Sequence, residues 1–182
     1  MIVLFRIRAA VCVLLAVLCL FSCLTSCRTT DRINFLSYQT YPFHARGLLT
    51  FDESEYEVLV TVHRAGDLIL QIVSPQRLSG TVLELCEGEA TLSFDDIVIP
   101  LADGGYAAKE GLLLAAEIFS LSGNSYAGAG ISEENGVRYS YATYTVPSGQ
   151  VTVYLSQEKD QPVFLVAELN RHRFRFQFMN ES

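Results

Sequence analysis

Beyond residue 27 this 182-residue chain has a single cysteine, Cys86, and over its whole length only three histidines. One thiol cannot close an intrachain disulfide, and a zinc site built on cysteines needs two or more at close spacing. His44, His63 and His172 lie far apart, each in a stretch that reads as a strand, so their spacing points to no shared metal. Basic residues are scarce as well. With Arg6 and Arg8 set aside, 11 basic residues face 20 acidic ones, a net charge of −9. Such a surface repels nucleic acid and anionic headgroups, so nucleic acid is excluded as a partner.

Catalytic frames are missing too. Gly123-Asn124-Ser125-Tyr126-Ala127 fails the G-x-S-x-G elbow at its last position, and neither H-E-x-x-H nor a phosphate loop occurs. Gly128-Ala129-Gly130 opens a G-x-G run, but Glu133 stands where the third glycine belongs. Asp95-Asp96 is a carboxylate pair at a strand junction, where Asp supplies turn hydrogen bonds. Asn180-Glu181-Ser182 matches a glycosylation acceptor only in form. No enzymatic activity, metal or cofactor is expected. The chain has no internal repeat and no low-complexity linker.

What is present begins with a leader. Arg6 and Arg8 precede sixteen uncharged residues, Ala9 to Leu24, in the order basic, apolar, small that marks a secretory signal. Sixteen helical residues span roughly 24 Å, short of the ~30 Å hydrocarbon core of a membrane. Leu24-Thr25-Ser26-Cys27 ends the run and resembles the bacterial lipoprotein signal: a Leu, two small residues that leave the backbone accessible, and the Cys that receives the lipid. Leu20-Phe21-Ser22-Cys23 is a second register, with bulky Phe21 where a small residue belongs. An uncleaved anchor helix and an ordinary cleaved signal are the competing readings. Cleavage after residue 26, with Cys27 carrying a palmitate-type acyl anchor, leaves 156 residues, enough for one domain. Cys86, in the apolar stretch TVLELCE, is then expected to be a buried, inert thiol. Membrane association comes from the acyl chains, and the location is extracytoplasmic, at the cell membrane or outer membrane.

Residues 27–39 read as a tether or short helix, with Ile33, Phe35 and Leu36 as weak anchors. From residue 40 the period is two. Tyr56, Val58, Val60 and Val62 share one face, Ala65-Gly66-Asp67 signals a turn, and Leu68, Leu70 and Ile72 repeat the even parity. Five or six short strands follow one another as far as Asp96–Pro100, the pattern of an antiparallel meander. The stretch YAAKEGLLLAAEIFSLSG then sets Leu114, Ile118 and Leu121 on one stripe with Leu112, Ala115 and Phe119 beside it, an amphipathic helix ended by Gly123 and weakened by Gly111. Strands resume between turns at Asn135-Gly136, Pro147-Ser148-Gly149, Lys159 to Pro162 and Asn170-Arg171. In HRFRFQF, Phe174, Phe176 and Phe178 face one way, and Arg173 and Arg175 read as a solvated edge. VFLVAEL and GLLLAAEIF are apolar on more than one side, so something must cover both: a packed helix and strand curvature, or a cavity for an acyl chain.

Order and residues together resemble the LolA/LolB-like lipoprotein-carrier superfamily. The likeness lies in YPFHARGLLTF and EYEVLVTVHRAGDLILQIVSPQRLSGTVLELCEGEATLSF, where strands with small turns reach a Pro-x-x-Leu-x-Gly junction at Pro75, Leu78 and Gly80 before a helix and a second meander. It covers roughly residues 40 to 178. The resemblance implies a mainly β (α+β) domain over 40–182, a curved antiparallel sheet forming an unclosed half-barrel with a plugging helix and a hydrophobic interior. This chain departs from the periplasmic carrier in its own lipidation signal and in lacking a long N-terminal helix. LolB-type receptors are lipidated.

The expected function is a membrane-anchored, monomeric lipoprotein that binds a hydrophobic ligand or lipidated polypeptide, with Val58, Val60, Leu68 and Leu70 lining the site. The alternative is a structural or assembly lipoprotein with a self-filled core, working through a protein interface.

Overall fold

The structure, a computed structural model, describes residues 34–101, 107–158 and 161–179. The leader expected over 1–26, the lipidation expected at Cys27 and the formal acceptor Asn180-Glu181-Ser182 lie outside them. The chain divides into two units, Met1–Asn34 and Phe35–Ser182, and the second carries the fold.

Alternation of apolar and polar residues builds eleven antiparallel strands among the described residues. The first six are β1 (Phe43–Phe51), β2 (Ser54–Val62), β3 (Leu68–Ser74), β4 (Val82–Cys86), β5 (Glu89–Phe94) and β6 (Ile97–Pro100). Among the described residues one α-helix, α1 (Ala107–Phe119), separates them from β7 (Tyr126–Glu134), β8 (Val137–Val146), β9 (Gly149–Ser156), β10 (Pro162–Leu169) and β11 (His172–Phe178). All lie in one sheet ordered β6-β5-β4-β3-β2-β1-β11-β10-β9-β8-β7. Each half is thus a meander, and pairing of β1 with β11 joins the two.

The register aligns apolar residues across the strands on one face. Val60 lies opposite Ala45 and Leu70, and Leu70 opposite Leu83. Leu49 lies opposite Phe176, Phe176 opposite Leu165, and Leu165 opposite Val153. Helix α1 packs on this face against β3 and β4 on one side and β10 on the other. In a flat sheet β3 and β10 would stand about 19 Å apart at ~4.8 Å per strand, wider than a helix of about 10 Å. The sheet must therefore curl around the helix. Its edges β6 and β7 pair with no further strand among the described residues, so the half-barrel stays unclosed.

Helix α1 buries Leu112 and Phe119 on one stripe and Leu114 and Ile118 on the next, leaving Leu113 partly in solvent. Both expected stripes are therefore covered. The helix stops at Phe119, and Gly123, expected as its terminator, instead opens a 3-10 turn over Gly123–Ser125. Three hairpins turn on two residues with positive φ: Glu87-Gly88, Asn135-Gly136 and Asn170-Arg171. That is the backbone of the turn whose twist matches antiparallel strands. Residues 35–38 form a hydrogen-bonded turn, with Gln39 N donating to Leu36 O at 2.9 Å, and Phe35, Leu36 and Tyr38 lie on the core.

Two expectations are corrected. Cys86 is exposed, because Leu85 takes the inward position in β4 and the next residue must point out. Arg173 and Arg175 are not on an edge, because β11 lies mid-sheet between β1 and β10. Arg175 instead holds an aromatic cluster on the outer face. Its Cζ sits 4.2 Å above the Phe164 ring, which Tyr154 stacks against at 4.4 Å and Tyr139 meets edge-on at 5.2 Å. Arg175 also donates to Glu134 at 3.1 and 3.4 Å. Glu134 ends β7, four places from β11, so the tip of the β7–β8 hairpin must fold across the outer face. Burial there raises the Tyr154 phenol above its ordinary value.

The two free edges differ. Leu101 N donates to Ala90 O at 2.8 Å, so alternation turns the amides of Ile99 and Ile97 toward β5 and those of Val98 and Pro100 outward. Pro100 has no N–H to offer, which is where a strand tolerates proline. On β7 the same alternation, counted back from the Asn135-Gly136 turn, leaves Ala129, Ile131 and Glu133 with both N–H and C=O outward.

Candidate functional site

The four residues chosen from the sequence are brought together but packed shut. Val58, Val60, Leu68 and Leu70 are at most 4% exposed and belong to the hydrophobic core beneath α1. Open apolar space lies beside them, at one end of the sheet. A cleft of about 490 Å³ runs along α1, between its outer stripe and the hairpin turns. Leu68 reaches it through its cross-strand partner Leu85, which lines it.

Spacing of three and four along α1 places Glu110, Leu113, Leu114 and Glu117 on one helical stripe, and all four line the cleft. Leu113 is 41% exposed there. The facing wall is the β8–β9 turn, Val146, Pro147 and Ser148, with Asn170 of the β10–β11 turn beside it. Glu117 crosses to that wall: Ser148 donates to it from its backbone N at 3.2 Å and from its hydroxyl at 2.9 Å. At the opposite wall Gly66 N donates to Ser120 Oγ at 3.0 Å. The C-terminal end of α1 is thus tied to a turn on each side.

The β2–β3 turn is itself braced to the β4–β5 turn. Arg64 bonds Asp67 at 2.5 Å and Glu87 at 2.8 Å, and Glu87 N donates to Asp67 at 3.1 Å. The bond from Glu87, then that from Asp67, raises the Arg64 guanidinium further above its usual range. Arg64, then the Glu87 amide, holds the Asp67 carboxyl below the usual carboxylate range. Elsewhere in the unit, Tyr38 contacts Phe43 and Phe178 at 5.5 and 5.6 Å between ring centroids. Burial pushes its phenol up, while Gln39 donates to its hydroxyl at 3.1 Å.

The histidines stay apart: His44 faces Thr61 at 3.1 Å and His172 faces Asp52 at 2.9 Å. Among the described residues no group of three His, Cys, Asp or Glu converges as metal ligands. Nor is any described helix long and apolar enough to cross a membrane. Sequence reasoning missed Leu113, Glu117, Val146 and Ser148. The available signal was the third leucine in Leu112-Leu113-Leu114, one more than a single buried stripe can use.

No protein-family model matches the sequence, and no curated protein matches it. Solved structures do. A LolA superfamily protein from Nitrosomonas europaea is 10% identical with a TM-score of 0.40, over 81% of this chain and 89% of its own. Lipoprotein LppX from Mycobacterium tuberculosis is 10% identical with a TM-score of 0.38, over 75% and 84%. A domain named for outer membrane lipoprotein sorting, from Vibrio parahaemolyticus, is 8% identical with a TM-score of 0.38, over 75% and 83%. The unclosed antiparallel half-barrel with its packed helix is the architecture expected from the sequence.

Proposed function

We propose that this chain is a membrane-tethered, non-enzymatic lipoprotein that binds a hydrophobic ligand or lipidated polypeptide at its half-barrel. The observation that carries the reading is the open cleft of about 490 Å³ beside α1, which places Leu113, Val146 and Pro147 within reach of a ligand. Its volume falls within the ~300–1,000 Å³ of small-molecule sites. Cys27 supplies the anchor through its lipoprotein-type signal, and the acidic body is held away from the bilayer by charge. The location is the extracytoplasmic side of a bacterial membrane.

Two measurements test this reading. Native mass spectrometry of the protein extracted from its own membrane reports a diacylated N-terminal Cys27 together with retained cargo. A fatty-acyl probe is taken up by the purified protein. A chain that retains its leader without acylation loses the tether, and one that binds no acyl probe loses the carrier role.

A second reading is favoured by the closed packing of Val58, Val60, Leu68 and Leu70. A core filled by its own side chains, with exposed Ile97, Val98 and Ile99 along β6, suits an assembly lipoprotein that presents a protein interface.

A further inference from the structure

The cleft beside α1 has a sign as well as a volume. Glu110 and Glu117 stand at the two ends of its helical stripe, about 10 Å apart along the axis, with Leu113 and Leu114 between them. Among the described residues none of those lining the cleft is basic. The last turn of α1, which lines the cleft through Ala116 and Glu117, also carries no basic residue. The helix end therefore contributes the negative pole of its dipole, about half an elementary charge, to the same space. Arg64, near the Gly66 rim, is matched by Asp67 and Glu87.

A carboxylate or phosphate head would enter this field against two carboxylates and a helix C-terminus. A cationic head would be drawn by all three. Apolar surface between two acidic ends fits a chain-like amphiphile, and the volume fits one small molecule rather than a folded partner.

We propose that the cleft is the seat of a free single-chain lipid with a positively charged head. The acyl chain lies on Leu113, Val146 and Pro147, and Glu117 with the end of α1 holds the head. This assignment rests on the hydrophobic-ligand reading above and narrows it to one head-group charge.

The experiment uses the full chain in phosphatidylcholine nanodiscs and hexadecyl photoprobes with trimethylammonium, hydroxyl or carboxylate heads. Labelling within residues 107–120 and 145–149 is quantified by peptide mass spectrometry. The trimethylammonium probe is expected to label these peptides about fivefold more than its carboxylate twin, a ratio that shrinks in high salt. Glu110→Gln with Glu117→Gln should remove the preference while the hydroxyl probe still labels. Because that double variant could disturb the Ser148 contact, the ranking in the unaltered chain is the primary readout. Equal or stronger labelling by the carboxylate probe overturns the charge assignment and leaves the carrier reading standing. Absence of labelling by every probe removes both. Displacement of the cationic probe by an acylated lysine peptide, but not by unlabelled hexadecyltrimethylammonium, overturns the free-lipid assignment.

Discussion

The ring of Phe176 fills the space that a side chain at Gly47 would need. A Cβ built on Gly47 runs into that ring and comes within 2.5 Å of Gln177 O. Phe176 in turn meets Phe119 of α1 edge-on at 5.1 Å. A missing side chain on β1 thus seats the aromatic that docks the helix onto the sheet.

Gly47→Ala should therefore act as an overpacking substitution in a closed core. We expect a loss of about 1–3 kcal/mol in urea unfolding, without change of fold by far-UV circular dichroism. Retention of full stability would mean that the Phe176 ring moves freely and does not fix α1.

Val60→Phe separates the two functional readings. Val60 is 1% exposed beneath α1, and a filled core should lose about 1–3 kcal/mol on gaining the ring. A thermal midpoint equal to that of the unaltered chain would reveal spare volume beside Val60 and move the ligand seat inward.

Asp52 gives the fold an acid-sensitive tie between the β1–β2 turn and β11. Its carboxyl accepts the Arg173 amide at 3.0 Å and faces His172 at 2.9 Å, and these two bonds, that of Arg173 first, lower its pKa. A depressed carboxyl stabilises the fold fully above its unfolded value of about 3.9, and that contribution disappears as pH falls through the lower folded value. Thermal midpoints of Asp52→Asn should consequently change less with pH below about 4 than those of the unaltered chain. Parallel curves would exclude Asp52 as a contributor.

Phe164 is 3% exposed although it lies on the face opposite the main core. Its lid is made of Tyr154, Tyr139 and the Arg175 guanidinium. Phe164→Ala should cost about 3–5 kcal/mol, as for a buried aromatic. A loss below about 1 kcal/mol would show that the outer cluster is a loose surface and that the Glu134–Arg175 bond does not hold the hairpin tip down.

Most of the fold was legible because strand parity is a local property. The alternation through Tyr56, Val58, Val60 and Val62, and the turns at Asn135-Gly136 and Asn170-Arg171, follow from neighbours in sequence. The mid-sheet position of β11 was not legible. It depends on pairing β1 with β11, residues more than a hundred positions apart, and so HRFRFQF read as an edge. At Cys86 the apolar character of TVLELCE outweighed its parity, which sets Leu83 and Leu85 on one face and Glu84 and Cys86 on the other. The cleft was invisible for the same reason: its walls come from α1, the β8–β9 turn and the β10–β11 turn, which only the curl of the sheet brings together. Parity puts Val58, Val60, Leu68 and Leu70 on one face, yet sequence could not show that α1 closes over them.

The pyrrolidine ring of Pro100 has a consequence for copies of the chain crowded on one surface. Edge-to-edge growth into a fibril needs donors along both rims of every subunit, and on β6 Pro100 leaves Val98 as the one outward amide donor. Strand-on-strand stacking through the amides of Ala129, Ile131 and Glu133 therefore favours a closed pair over a growing row.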